Sequence, residues 1–178
     1  MIHLLKNRRS IRKFKDEKID ENLLKTFFKA VLTSPAGHNI NHIEYIYVDD
    51  DELLKKLSDV KAHGAMFLKD APQAIIVTAD ESKTDVWIED ASIAATVIQL
   101  TAESLGMGSC WIQMRLRKDK EGVLSEKLVK EIMGIEENRR VECIIAFGYP
   151  AESRNPHDIS EDELKGIMYN SSNKKLFL

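Results

Sequence analysis

Basic side chains near the start of the chain could bind a phosphate group. Four cations stand within six residues, from Arg8 to Lys13, and Ser10 adds a hydroxyl among them. Such charge is costly to bury without partners, whereas guanidinium groups form forked, charge-assisted hydrogen bonds with a dianionic phosphate. If this basic segment (residues 8–13) is extended, Arg8, Ser10 and Arg12 point to one side and form an anion clamp. The residues alone leave a second interpretation open, in which the segment is the solvated basic end of a helix.

A loop rich in small and amide-bearing side chains is the second candidate site. Pro35 and Gly37 predict that residues 34–41 form a loop, here called the amide loop. Asn39 and Asn41 can each donate and accept hydrogen bonds, which suits a heteroaromatic edge that carries carbonyl and ring N–H groups. The alternative is an ordinary polar turn after a helix.

The third candidate is the sequence Gly-Met-Gly-Ser-Cys-Trp at residues 106–111, here called the glycine turn. Gly106 and Gly108 would let the backbone approach a ligand closely and offer its N–H groups as donors. The alternative is a helix C-cap that leads into a strand, with Gly106 in the left-handed conformation.

Other chemistry has little support in the sequence. The five histidines lack the spacing of a zinc site, and H-E-x-x-H is absent. The sequence also lacks G-x-S-x-G, G-x-G-x-x-G and a Walker loop, which disfavours an acyl-transfer nucleophile and a conventional nucleotide site. Cys110 has no partner base that the sequence can name, and no pair of carboxylates stands out for acid–base work.

The bulk composition indicates one globular domain over residues 1–178, with 43% hydrophobic and 31% charged residues. A net charge of −3 argues against a general nucleic-acid binder, so the basic segment suits a small anion. No apolar run reaches the roughly 18 residues of a membrane span, and the start of the chain lacks a signal-peptide pattern. With two widely spaced cysteines, which we expect to be free thiols, the sequence predicts a cytoplasmic protein without a membrane partner.

Hydrophobic periodicity predicts helices and strands that alternate with short gaps. The predicted helices span residues 2–7, 21–33 (with Asp20 as N-cap), 51–57, 62–69, 85–105, 125–133 and about 161–169, and the predicted strands span 43–48, 73–79, 110–114 and 141–147. This order indicates an α/β or α+β sandwich in which helices cover a central sheet.

The predicted helix over residues 85–105 is apolar around most of its circumference. A helix of this kind is buried on all sides. In a chain of this length, either the rest of the monomer or a partner subunit would have to cover it, and periodicity does not distinguish the two.

Four segments, taken in order, resemble the nitroreductase family of FMN-dependent oxidoreductases. They are Arg8-Arg9-Ser10-Ile11-Arg12-Lys13-Phe14, Ser34-Pro35-Ala36-Gly37-His38-Asn39-Ile40-Asn41, Gly106-Met107-Gly108-Ser109-Cys110-Trp111-Ile112 and Gly148-Tyr149-Pro150. Each motif alone is weak, but the ordered set spans residues 2 to 155 and is specific.

The resemblance implies an α+β, nitroreductase-like sandwich, with a central mixed β-sheet flanked by helices and an intertwined homodimer. FMN would lie at the subunit interface. The implied enzyme is an FMN-dependent NAD(P)H oxidoreductase. It would transfer hydride from NADH or NADPH through flavin N5 to an electron-poor small molecule such as a nitroaromatic or a quinone. The flavin carries this chemistry, so neither a catalytic side chain nor a metal is expected.

The resemblance also assigns cofactor contacts to three groups of residues. The FMN phosphate and ribityl chain would be held by Arg8, Arg9, Ser10 and Arg12, with Arg154 completing the phosphate site. The other subunit would contribute Pro35, Ala36, Gly37, Asn39 and, with weaker support, Asn41. The isoalloxazine ring would lie beside Met107, Gly108 and Ser109.

The chain departs from the family at the end of the amide loop. Many members carry Gln-Pro-Trp there, whereas this chain has Asn41-His42-Ile43, so we expect His38, His42 and Ile43 to influence the choice of acceptor. The core is expected to span residues 2–155, and the tail over 156–178 would wrap the partner subunit or cover the site.

Three alternative functions remain open from the sequence. One is a specialised flavin enzyme of the same fold, for dehalogenation or flavin cleavage. Another is a non-catalytic flavin-binding or redox-sensing protein, and the last is a phosphate-binding module without flavin.

Overall fold

The computed structural model describes residues 1–164 and 166–172 of the chain. The helices are α1 Ile2–Asn7, α2 Glu21–Val31, α3 Asp51–Ser58, α4 Trp87–Ser104, α5 Ser125–Met133 and α6 Glu161–Leu164, and short 3-10 turns span Gly37–Asn39 and Met66–Asp70. The strands are β1 Ile43–Val48, β2 Gln73–Asp80, β3 Gly108–Gln113 and β4 Arg139–Gly148. Residues 165 and 173–178 of the predicted tail lie outside the described residues. None of the described helices is long and apolar enough to cross a membrane.

The predicted elements are confirmed in order and type, with one clear exception. The sequence predicted a helix over residues 62–69, but the structure has the 3-10 turn Met66–Asp70 at its end. Gly64 precedes this turn with a φ of 83°, a left-handed conformation that an α-helix cannot contain. The helix prediction failed because apolar spacing over so few residues does not distinguish an α-helix from a tighter turn.

The four strands form one sheet in the order β1-β2-β4-β3. All three neighbouring pairs are antiparallel, where a mixed sheet was expected. The mixed sheet was implied by the family resemblance, and hydrophobic periodicity could not check it, because periodicity reports the buried face of a strand and not its direction. A parallel pairing occurs at the isolated bridge between Ser10 and Ser109, outside the named strands.

Two hydrophobic clusters cover the two faces of the sheet. Alternate residues of β2 supply both, since Ile76 packs with α3 and α5 while Ile75 and Val77 pack with α2 and α4. All eight residues of β2 are buried, as expected for a strand enclosed on both faces. Burial of each large aliphatic or aromatic side chain contributes about 1.5–3 kcal/mol, so these clusters dominate the stability.

Capping side chains and a glycine set the ends of the helices. The Asp20 carboxylate accepts hydrogen bonds from the N–H groups of Asn22 and Leu23, which confirms the predicted N-cap of α2. Helix α4 ends at Ser104, and Gly106, two residues later, has a φ of 75°. The N–H of Met107 then donates to the carbonyl of Ala102 at 2.8 Å, which is the Schellman geometry and confirms the predicted glycine cap.

Helix α4 is buried on one side within the chain. Ala91, Ala94, Ala95 and Ile98 are at most 1% exposed where the helix meets the sheet and α2. Ile93, on the opposite side, is 42% exposed. The chain therefore leaves the outer apolar side of α4 partly uncovered.

Candidate functional site

The basic segment lies against the glycine turn. Ser10 pairs in parallel with Ser109, and the N–H of Ile11 donates to the Ser109 carbonyl at 2.9 Å. Helix α1 ends at Asn7, so the segment is extended where it meets the sheet. The structure therefore agrees with the extended interpretation and not with the basic helix end.

Gly108 is required by this packing. A Cβ atom at this position would lie 2.9 Å from Cβ, Cγ1 and Cγ2 of Ile11. Real Cβ atoms essentially never approach neighbours so closely, so any side chain here would push the basic segment away from β3. The glycine turn thus holds the clamp through close backbone contact.

The far end of the basic segment is held by the turn after β4. Lys15 donates its N–H to the Tyr149 carbonyl at 2.8 Å, and Ala151 donates to the Lys13 carbonyl at 2.9 Å. Phe14 forms an isolated antiparallel bridge with Pro150. The segment is therefore fixed between the start of β3 and the end of β4, and three of the four expected motifs come together.

Glu152 connects Arg154 to the basic segment. Its carboxylate accepts the Arg12 N–H at 2.7 Å and pairs with the Arg154 guanidinium at 2.9 Å. The hydrogen bond from the Arg12 N–H, followed by the charge of Arg154, lowers the pKa of Glu152. Arg9 donates to the Asn155 carbonyl in the same region. The structure thus brings Arg154 to the clamp through the carboxylate of Glu152, which no sequence motif indicated.

The clamp cations remain available to an anion. In the described part of the chain, neither Arg8 nor Arg12 has a carboxylate oxygen within 4.0 Å of its guanidinium. The Arg12 guanidinium carbon lies 5.9 Å from the centre of the Phe67 ring, a distance suited to a cation–π contact. An aromatic support of this kind orients the guanidinium without neutralising its charge.

Buried residues lie directly behind the clamp. Cys110 is 1% exposed, and burial raises the pKa of its thiol despite the nearby Arg12, Ser10 and Arg8. A thiol held in its neutral form is a poor nucleophile, in agreement with a structural role. Met107 is 2% exposed, and its N–H donates to the Ala102 carbonyl of α4. Its predicted contact with a flavin therefore gains no support from this chain alone.

The amide loop lies at the other end of α4. The N–H of Gly37 donates to the Asp90 carboxylate, in the first turn of the helix, at 2.9 Å. A Cβ atom on Gly37 would lie 3.0 Å from Cγ2 of Val86, so a side chain here would make a tight contact with the start of α4. His38 and Asn39 both take the left-handed conformation, with φ of 55° and 54°. Such backbone is uncommon for histidine and persists only where the surroundings enforce it.

The predicted residues of the amide loop share one cleft. A cavity of about 530 Å³ is lined by Pro35, Ala36, Asn39, Asn41 and Tyr45, among others. Gly37 lies behind this surface, where it contacts α4. The four predicted residues in the lining can therefore contact one ligand or partner together.

The clamp and the amide loop are far apart within one chain. The loop contacts the first turn of α4, whereas the glycine turn follows its last residue, Ser104. A helix of 18 residues is about 27 Å long at a rise of about 1.5 Å per residue. The two regions of a single chain therefore cannot hold the same end of one small ligand.

His42 differs from its expected role. We expected His42 to be among the residues that choose the acceptor, but it is only 1% exposed. Its Nε2 atom lies 3.2 Å from the Asp90 carboxylate, so it faces α4 and not a substrate. The sequence signal for this pair is a carboxylate, Asp90, on the buried side of an apolar helix.

Comparison with known proteins decides the family. A model of the nitroreductase family matches residues 5–66 and 61–149. The chain belongs to the nitroreductase family. Its resemblance to that family is confirmed, and so is the α+β fold.

Three relatives show how the likeness extends. A solved FMN-dependent nitroreductase from Clostridium difficile R20291 is 44% identical, with a TM-score of 0.92 over 96% of this chain and 99% of that chain. A protein of Methanothermobacter thermautotrophicus, named as a candidate NADH dehydrogenase/NAD(P)H nitroreductase, is 34% identical over 92% of this chain and 84% of its own length. An FMN reductase [NAD(P)H] of Bacillus subtilis is 28% identical over 61% of this chain and 52% of its own length.

Proposed function

We propose that this nitroreductase-family protein is an FMN-dependent oxidoreductase that takes hydride from NADH or NADPH and delivers it to a nitroaromatic or a quinone. The clamp carries the proposal, because Arg8, Ser10 and Arg12 are fixed beside the sheet and neither guanidinium is paired with a carboxylate of the described residues. The names of the relatives from Clostridium difficile and Bacillus subtilis support FMN and NAD(P)H as cofactors.

The residues of the clamp fit a flavin mononucleotide. Arg8, Ser10 and Arg12 supply forked and hydroxyl donors, which match the three terminal oxygens of a phosphate ester. Arg154 would add a fourth donor when its guanidinium group turns from the Glu152 carboxylate toward the phosphate. The donors would bind the phosphate end of FMN and leave the ring to other parts of the site.

The chain's contribution to catalysis is binding and orientation. The flavin, when bound, supplies the hydride chemistry. Arg8 and Arg12 would anchor the phosphate, and the backbone pairing of residues 10–15 would keep that anchor fixed relative to the sheet. We assign no side chain to proton transfer.

A homodimer completes the site in this proposal. The amide loop lies about a helix length from the clamp of its own chain, so it would serve the flavin that the partner holds. The partly exposed outer side of α4, with Ile93, is the surface that a second copy would cover. The tail over residues 156–178 is proposed to wrap that copy, and Ile159, Ile167 and Met168 of the tail are indeed exposed.

A cytoplasmic location belongs to the same proposal. Cys110 and Cys143 are buried and free, as expected for a protein kept under reducing conditions.

Colour and bleaching test the function directly. The purified protein, supplied with FMN, should show a flavin spectrum, lose it anaerobically with NADH or NADPH, and regain it when a quinone or a nitroaromatic is added. A protein that binds no FMN contradicts the proposal as a whole. A flavoprotein that neither nicotinamide bleaches contradicts the reductase and favours a specialised or non-catalytic flavin protein.

A further inference from the structure

We propose that Asp90 is a positioning residue that locks the amide loop in its ligand-binding shape through Gly37 and His42. The inference rests on the proposed function, because the flavin is the ligand against which the loop would be placed. Neither Asp90 nor His42 belongs to the motifs that define the site.

Asp90 contacts the loop on both sides of its turn. One carboxylate oxygen accepts the Gly37 N–H at 2.9 Å, and the other lies 3.2 Å from His42 Nε2. The side chains of Asp90 and His42 are 5% and 0% exposed. Nε2 and Oδ2 are both buried, and neither has a hydrogen-bond partner among the described residues, although the two atoms lie 3.2 Å apart.

The two contacts of Asp90 differ in kind. The contact with Gly37 is a hydrogen bond, whereas the contact with His42 is a close approach of two buried polar atoms. On its other side, the His42 ring is held by the Ile40 carbonyl, which lies 2.9 Å from Nδ1 and can only accept, so Nδ1 is the donor. An asparagine at position 90 could keep the Gly37 bond through its carbonyl oxygen and place its amide as a donor beside Nε2.

The lock encloses a strained segment. His38 and Asn39 lie between Gly37 and His42, and both have positive φ. Left-handed backbone at two successive residues persists only when contacts on each side enforce it. Asp90 provides those contacts from a helix that the core holds rigid, so its loss would free Asn39 and Asn41, which line the cleft.

The test compares Asp90→Ala, Asp90→Asn and Glu89→Gln in the full chain. Glu89 is the matched control, because it is an exposed acidic residue of the same helical turn. In Asp90→Ala we expect faster exchange of the Gly37 amide hydrogen and a kcat/KM for NADH or NADPH about 10- to 100-fold lower, since a displacement of about 1 Å can cost that much. Asp90→Asn should restore both quantities to near the wild-type values, and Glu89→Gln should change neither.

Each other outcome overturns the proposal. Wild-type behaviour of Asp90→Ala would show that the loop needs no lock, and an equal loss in Asp90→Asn would show that charge matters and not position. If Asp90→Ala does not fold, Asp90→Ser takes its place, because its hydroxyl cannot reach Gly37 and His42 together. Gly37 exchange is measured without flavin, so it reports the lock even if the wild-type protein binds no FMN and the proposed function fails.

Discussion

The clamp and the amide loop are held in place by different means. The clamp is tied to the sheet by backbone hydrogen bonds, from Ile11 at one end to Lys15 at the other. The amide loop is held at its turn by the buried carboxylate of Asp90 and contains two strained residues. Backbone pairing survives most side-chain changes, whereas a side-chain lock depends on one residue. The position of the clamp should therefore tolerate most side-chain substitutions, whereas a single substitution can change the conformation of the amide loop.

The largest expected effect is a loss of FMN affinity when the arginines of the clamp are replaced. Arg8→Ala and Arg12→Ala should each raise the Kd for FMN, because each charge-assisted hydrogen bond lost costs about 1.5–3 kcal/mol, or about 10- to 100-fold. The double variant should lose more than either. Titration of flavin fluorescence measures the change.

Lys13→Ala is the matched control for the arginine variants. It removes one positive charge from the same segment, but Lys13 alternates with Arg12 and faces the other way in an extended strand. An equal loss of affinity in Lys13→Ala would mean that general charge binds the phosphate and would contradict the clamp. FMN affinity unchanged in both arginine variants would contradict it as well.

The second prediction tests the backbone contact behind the clamp. Gly108→Ala should lower the free energy of unfolding by about 1–3 kcal/mol, because its Cβ would overlap Ile11. Ile11→Ala also destabilises on its own, since Ile11 is buried. Together the two should cost less than their sum, because alanine at position 11 removes the Cγ1 and Cγ2 overlaps and leaves only the overlap with its Cβ. Denaturant unfolding of all four proteins measures the coupling, and simple additivity would contradict the contact.

Much of the fold could be predicted from the sequence because its signals are local. The aspartate before α2 and the glycine after α4 each mark a helix end through contacts within a few residues. Strand direction in the sheet could not be predicted, since it depends on which distant strands meet.

The candidate site was predicted in part for the same reason. Residues of the clamp are neighbours in sequence, so their spacing already shows that they share one side. Contacts between segments far apart in the chain determine the roles of Glu152 and Asp90 and bury His42, so these features could not be predicted. A buried histidine and an exposed one have the same sequence signature in a loop, so the burial of His42 could not be predicted, and the structure gives no support to a role for His42 in the choice of acceptor.

A smaller effect is expected from relief of strain in the amide loop. His38→Gly should raise the free energy of unfolding by up to about 1 kcal/mol. Glycine avoids the penalty of about 1–2 kcal/mol that a side chain adds at positive φ, but it loses part of this gain because its unfolded chain has more entropy. The greater freedom should at the same time lower kcat/KM for NADH or NADPH. Thermal unfolding and steady-state kinetics measure the two changes. A protein that is stabilised and fully active would show that the strain has no part in function.

The smallest effect concerns Glu152, which joins the clamp to Arg154. Its pKa lies below its usual value in the folded chain, so the ionised carboxylate stabilises the fold above about pH 4.5, and that contribution disappears as the pH falls through the lowered pKa. Because the group is close to solvent, screening limits the contribution to a fraction of about 1 kcal/mol. Glu152→Gln should therefore be slightly less stable than the wild type at about pH 7, and the difference should disappear as the pH falls through the lowered pKa of Glu152. The test is the difference in unfolding free energy between the two proteins, measured from about pH 7 into acid. A difference that persisted in acid would assign the effect to packing. The stability of the clamp would then rest on its backbone pairing alone.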